Sequence, residues 1–196
     1  MAAVLLVIAI AMLTSEVAWR ARGTLGLVGL ATLVHMYITS SGSEYALIVS
    51  FGLSLRSLEE GRYYTLLLHP FIHANTLHLF FNMAALALFG IIVELQRGTW
   101  FLLMIFFMTS ILSGLASLPF IGWNAVTVGA SGGVFGLMGC SLAEDSARRS
   151  SKFIELAAAV FLAVGFWFIG ANIVAHLAGL LLGLVAGSAS KGEKGW

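Results

Sequence analysis

Ser131 lies in the string Gly129-Ala130-Ser131-Gly132, inside a stretch from Thr99 to Ala143 that carries no charged residue. His176 follows 45 residues later, in a second apolar stretch. A serine hydroxyl becomes a useful nucleophile only beside a base that takes its proton. Nucleophilic and ionisable groups at membrane depth are costly and therefore functional candidates by default. One potential nucleophile and one potential base on separate apolar segments point to acyl-transfer chemistry. Each residue alone also has a plainer reading. Serine, like glycine and alanine, mediates close helix contacts in membranes, and a lone helical histidine is commonly a packing residue. The string Gly129 to Gly133 matches the G-x-S-x-G nucleophile elbow, but that elbow needs a preceding strand and a soluble sheet. The run 125–142 offers neither.

His78 and Asn82 are spaced i, i+4 and share a helix face. The tetrahedral intermediate of amide hydrolysis needs preorganised donors, each worth about 10²–10³ in rate. An Asn amide, a His N–H and the Ser131 backbone N–H would supply them. Metal binding by His69, His73 and His78 competes weakly, because the five-residue step from His73 to His78 is poor helical ligand spacing and no acid lies nearby. No metal or cofactor is expected. The nearest acids after Ser131 are Glu144 and Asp145, about 20 Å further along a helix. With Glu94 and Glu155 also near the inner face, no carboxylate can orient His176. The expected catalytic unit is a dyad, in which packing does what the aspartate does in a triad.

The elements that must position these groups are membrane helices. Of 196 residues, 60% are hydrophobic and only 10% charged, with a mean hydropathy of +0.99. A soluble domain of this size needs far more polar surface. A net charge of +1 with scattered basic residues argues against nucleic-acid binding, and the single Cys140 excludes an internal disulfide or a multi-cysteine zinc site. Runs of about 20 apolar residues predict spans over 2–18, 24–40, 72–93, 99–120, 125–143, 153–170 and 173–189. Continuous rather than alternating hydrophobicity predicts helices, not barrel strands. The segment 41–71 mixes Glu44, Arg56, Glu59, Glu60 and Arg62 with apolar patches and reads as a structured, partly embedded loop. Thr14-Ser15-Glu16 makes a poor cleavage site, so the first segment is expected to be a retained helix.

Orientation follows the placement of Lys and Arg. With 24–40 running outward, Arg20, Arg22, Arg97, Arg148, Arg149, Lys152, Lys191 and Lys194 lie inside, and only Arg56 and Arg62 lie outside. The spans opening near 72, 125 and 173 then enter from the outer face. They carry His78 and Asn82, Ser131 in a second turn, and His176 to a similar depth. Gly179, Gly183 and Gly187 form a smooth stripe beside His176, and Gly129, Gly132, Gly133, Gly136 and Gly139 give a complementary surface. Two such faces allow close helix approach, with Phe135 one turn below Ser131 stacking on the imidazole.

The ordered set of motifs resembles the rhomboid intramembrane serine proteases. The matching elements are His73-Ala74-Asn75-Thr76-Leu77-His78 with Asn82, Glu94-Leu95-Gln96-Arg97-Gly98, Ser113-Gly114, Gly129-Ala130-Ser131-Gly132, and Ala175-His176-Leu177-Ala178-Gly179 with Gly183. The resemblance implies a six-helix core, nucleophile Ser131, base His176, oxyanion donors His78, Asn82 and the Ser131 amide, and an embedded first loop. It also implies cleavage of transmembrane substrates without cofactor, entering laterally past 153–170, whose Gly165-Phe166-Trp167-Phe168 end faces outward. The chain departs from the family at Tyr64-Thr65, where Trp-Arg is common, with Arg62 slightly upstream. It also has Phe135 where many bacterial members have Tyr.

The sequence thus predicts an all-α polytopic membrane protein, a rhomboid-like six-helix core with an extra N-terminal transmembrane helix. Residues 1–23 hold that helix and an inner loop, 24–190 the protease domain with its first loop at 41–71, and 191–196 an inner tail. The expected setting is a prokaryotic plasma membrane with a cytoplasmic C-terminus, and the partners are transmembrane substrates and lipid. The rivals are a non-catalytic rhomboid-like client binder and a small transporter. The transporter would need a charged pathway, which the inner halves of the spans lack.

Overall fold

A bilayer offers backbone groups no water, so a spanning segment satisfies its own N–H and C=O groups by forming a helix. The computed structural model describes residues 16–144, Leu156 and 172–189. The expected first span over 2–18, the 153–170 helix with its outward end, and the inner tail lie outside the described residues, except for Glu16–Ala18 and Leu156. The short helix α1 (Glu16–Arg20) precedes α2 (Arg22–Ser40). Three short helices follow in the first loop: α3 (Glu44–Phe51), α4 (Leu55–Glu59) and α5 (Thr65–Leu68), the last running into a 3₁₀ turn, His69–Phe71. Then come α6 (Thr76–Arg97), α7 (Thr99–Ser117), α8 (Ser131–Glu144) and α9 (Ile173–Ala189). Arg22–Ser40, Thr76–Arg97 and Thr99–Phe120 are long and apolar enough to cross a membrane, and the apolar stretches in α8 and α9 are shorter. The protein is a polytopic helical membrane protein, as the sequence predicts.

Two helix starts differ from expectation, each for a local reason. The span expected from 72 begins at Thr76, because Pro70 sits in the 3₁₀ turn and the Asn75 side chain caps the new helix, accepting from His78 N at 2.8 Å. The span expected from 125 begins at Ser131. Residues before it run extended, with Thr127 paired to Leu53 in an isolated antiparallel bridge, and Gly129 turns the chain at φ +108°. Ser131 is therefore the first residue of its helix rather than part of a second turn.

Helix α8 packs against α6, α7 and, most extensively, α9. Glycine makes the last contact possible. A Cβ on Gly183 would fall on Gly136 O, one on Gly179 on Gly132 O, and one on Gly187 within 2.6 Å of Cys140 O. Backbone meets backbone along the whole seam, as the paired glycine stripes predict.

In the last turn of α6, Glu94 ties three helices together. Its carboxylate accepts from Gly23 N and Thr24 N, both at 2.8 Å, from Thr24 Oγ1 at 2.7 Å and from Thr99 Oγ1 at 2.6 Å. The residue is buried, so these four donors replace its hydration. Glu94→Gln keeps the shape but turns an NH₂ toward donors. It is expected to destabilise the protein by roughly 2–4 kcal/mol, read as a lower unfolding midpoint in detergent; an unchanged midpoint would refute the anchoring role.

The first loop is anchored in its own way. Where Trp-Arg is common in the family, Arg62 donates to Ser50 O at 3.0 Å and Val49 O at 3.3 Å, the last turn of α3. Tyr64 OH donates to Ser50 O at 3.3 Å, and its ring packs edge-on against Phe51. The upstream arginine and the tyrosine together close the loop onto itself.

Candidate active site

The loop segments fix the approach to Ser131 from behind. Leu53 and Thr127 exchange both backbone bonds, at 3.0 and 2.7 Å. Gly129 N donates to His69 O at 3.0 Å, and Ala130 N donates to His73 Nε2 at 3.4 Å. With Nε2 accepting, the His73 proton sits on Nδ1 and points to Phe71 O, 3.4 Å away. Burial, with smaller contributions from His78 and His35, pushes the His73 pKa down to about 3, so the ring stays neutral and keeps this tautomer. His69 is likewise buried, with a pKa pushed down to about 4 by desolvation, and its Nδ1 meets Thr65 O at 2.9 Å. Both rings are engaged with backbone.

Ser131, His176 and His78 line one cavity of about 470 Å³, bordered also by Gly129, Ser110, Ser113, Thr127 and Asn172. Among the described residues no carboxylate lines it. The His176 ring stacks on Phe135 with centroids 4.5 Å apart and planes at 12°. Phe135 is one turn from Ser131 on α8, and Gly179, one turn from His176, lies against Gly132. Serine and histidine are thereby held across the glycine seam between α8 and α9, both 7% exposed.

Asn82 stands behind this wall rather than on it. It is fully buried, its Nδ2 donates to His78 O at 2.9 Å, and Oδ1 has no partner. Gly129 lies directly over the pair, since a Cβ there would meet the His78 ring at 2.7 Å and Asn82 Nδ2 at 3.9 Å. Both its positive φ and that contact require glycine. The first amides of a helix have no intrahelical partner, and in α8 the first is that of Ser131. Backbone N–H groups and the positive end of the helix dipole favour negative charge at this spot.

Two groups went unnoticed in the sequence. Asn172 caps α9, with Oδ1 accepting from Ala175 N at 3.2 Å, and its Nδ2 reaches Thr127 Oγ1 at 3.3 Å. It couples the helix bearing His176 to the strand-like segment before Ser131. An asparagine just before an apolar run is a helix-start signal, so the cap was legible. The Leu53–Thr127 pairing carries no such signal.

The order and spacing of these groups are matched elsewhere. Residues 60–190 match the Rhomboid domain. The chain belongs to the rhomboid family. This rhomboid is similar to Rhomboid-like protease 1 of Toxoplasma gondii, 31% identical over 152 residues that cover 72% of this chain and 52% of the relative. It is similar to Rhomboid-like protein 11, chloroplastic, of Arabidopsis thaliana, 35% identical over 94 residues, 48% of this chain and 34% of the relative. A third relative is Inactive RHOMBOID-like protein 8 of Arabidopsis thaliana, 31% identical over 110 residues, 54% of this chain and 31% of the relative. The chain spans about half the length of the Toxoplasma relative and a third of the two Arabidopsis ones.

Proposed function

We propose that this rhomboid is an intramembrane serine endopeptidase that cleaves transmembrane protein substrates, with Ser131 as nucleophile and His176 as general base. The carrying observation is that these two residues, from separate helices, line one cavity while the His176 ring is pinned flat on Phe135. In the acylation step His176 takes the Ser131 Oγ proton as Oγ bonds to the scissile carbonyl carbon. The carbonyl oxygen becomes an oxyanion facing His78 and the Ser131 amide, with Asn82 bonded to His78 O behind them. As the C–N bond breaks, the imidazolium returns its proton to the leaving amine. Water then attacks the acyl-serine with His176 as base, releasing the carboxylate product and restoring the serine. Phe135 and the glycine seam orient the imidazole in place of an acid.

The Lys and Arg bias supports an outward-opening site with the C-terminus inside, and the reading carries a prokaryotic plasma membrane as its setting. A second reading, a non-catalytic client binder, is favoured by the relative whose name calls it inactive. Nucleophile activation separates the two. A fluorophosphonate probe is expected to label Ser131 in detergent and to lose that label in His176→Ala. Equal labelling of the two proteins, or none of either, would remove the hydrolytic reading. Asn82→Ala is expected to lower kcat about 10²-fold with little change in KM, measured on a generic transmembrane substrate; a parental kcat would take Asn82 out of the oxyanion site.

A further inference from the structure

Behind the proposed oxyanion wall stands one more imidazole, that of His35. His35 lies on α2 five residues from its outer end, about 8 Å down the helix axis. It is buried, at 4% exposure. Its Nε2 is 3.3 Å from Thr76 Oγ1, whereas Nδ1 is buried with no partner. A buried polar ring without full pairing costs free energy that an apolar ring of the same size would not. Its contact with Thr76 is thus the one interaction that a phenylalanine in the same space could not make.

Thr76 is the first residue of α6, and His78 is the third. The turn is held from within by the Asn75 cap on His78 N and from outside by His35. Continuing away from α2, the His78 ring packs edge-on against His73 at 5.2 Å, and His73 accepts from Ala130 N next to the nucleophile. His35 does not line the cavity, so it touches no substrate.

We propose that His35 is a positioning residue for the hydrolytic reaction: through Thr76 it fixes the turn that carries His78, and so the aim of the oxyanion donor. The inference rests on the proposed serine-protease reading. A donor displaced by a fraction of an ångström stabilises the transition state less while binding substrate as before. His35→Phe is expected to lower kcat roughly tenfold with KM within about twofold. His35→Gln, whose amide reaches the place of Nε2, is expected to recover most of that loss. Thr76→Val should match His35→Phe, and the double variant should fall no further, because both remove one contact.

Kinetics on a generic transmembrane substrate in detergent, with Ser131→Ala alongside, test this. If the parent cleaves no better than Ser131→Ala, the hydrolytic reading fails and this inference with it. If the parent cleaves and His35→Phe keeps its kcat, the inference alone is overturned. Additive losses in the double variant, or a loss in His35→Phe that Gln does not recover, likewise overturn it and leave His35 as packing only.

Discussion

Ser131→Ala is expected to abolish cleavage of a transmembrane substrate, by at least about 10⁴-fold in kcat, and His176→Ala to do nearly the same. Without Oγ there is no acyl-enzyme. Without the imidazole the hydroxyl keeps its proton: among the described residues no carboxylate or amine lines the cavity, and of the other imidazoles on it His69 is tied to Thr65 O and His78 is assigned to the oxyanion side. The two losses should not add, because the residues act as one unit. The Ser131→Ala protein should unfold at about the parental temperature, as it loses one small hydroxyl. Gel-based cleavage of a reconstituted substrate, with both variants beside the parent, checks all of this. Persistent cleavage by Ser131→Ala would move the nucleophile elsewhere.

Gly183→Val is expected to be as damaging by a different route. Its Cβ would fall on the carbonyl oxygen of Gly136, and neighbouring Gly139 faces the Leu180 carbonyl in the same seam. Backbone cannot rotate away as a side chain can, so α9 must move off α8. The expected destabilisation is roughly 3 kcal/mol or more, at or above the usual range for overpacking. Any folded fraction should have lost most activity, since a displacement of about 1 Å between reacting groups costs roughly 10²-fold. Leu181→Ala provides the contrast: that side chain is on the same helix but 60% exposed, and its replacement should change stability by no more than about 0.5 kcal/mol. Unfolding midpoints in detergent read both. A Gly183→Val protein with parental stability and activity would mean that the two backbones do not meet there.

The two sets of variants separate chemistry from geometry. On the proposed reading, Ser131→Ala removes a reacting atom and should spare the fold. Gly183→Val leaves every such atom in the chain and is expected to destroy their alignment. Asn82→Ala and His35→Phe are expected to fall between them, because on the proposed reading they act on how firmly the developing charge is met.

Much of this architecture was legible in the chain, because a bilayer allows few solutions. Long apolar runs had to be helices, glycines at i, i+4 spacing pointed to close approach, and Ser131, His176, His78 and Asn82 stood out in such runs as candidates once they were read together. Helix α9 begins and ends where the apolar run does. The Phe135–His176 stack was anticipated once the two glycine faces were paired, because Phe135 lies one turn from Ser131. What the sequence could not decide depends on partners distant in the chain. Ser131 opens its helix because Leu53 pairs with Thr127 and because His69 and His73 take the amides of Gly129 and Ala130, contacts more than 50 residues apart. Asn82 sits behind the cavity wall because Gly129 lies across it, and His35 meets Thr76 only because α2 packs on α6. Hydrophobicity and periodicity are local and can be read from neighbours, whereas the exact start of α8 and the aim of each donor are set by tertiary hydrogen bonds that no local pattern encodes.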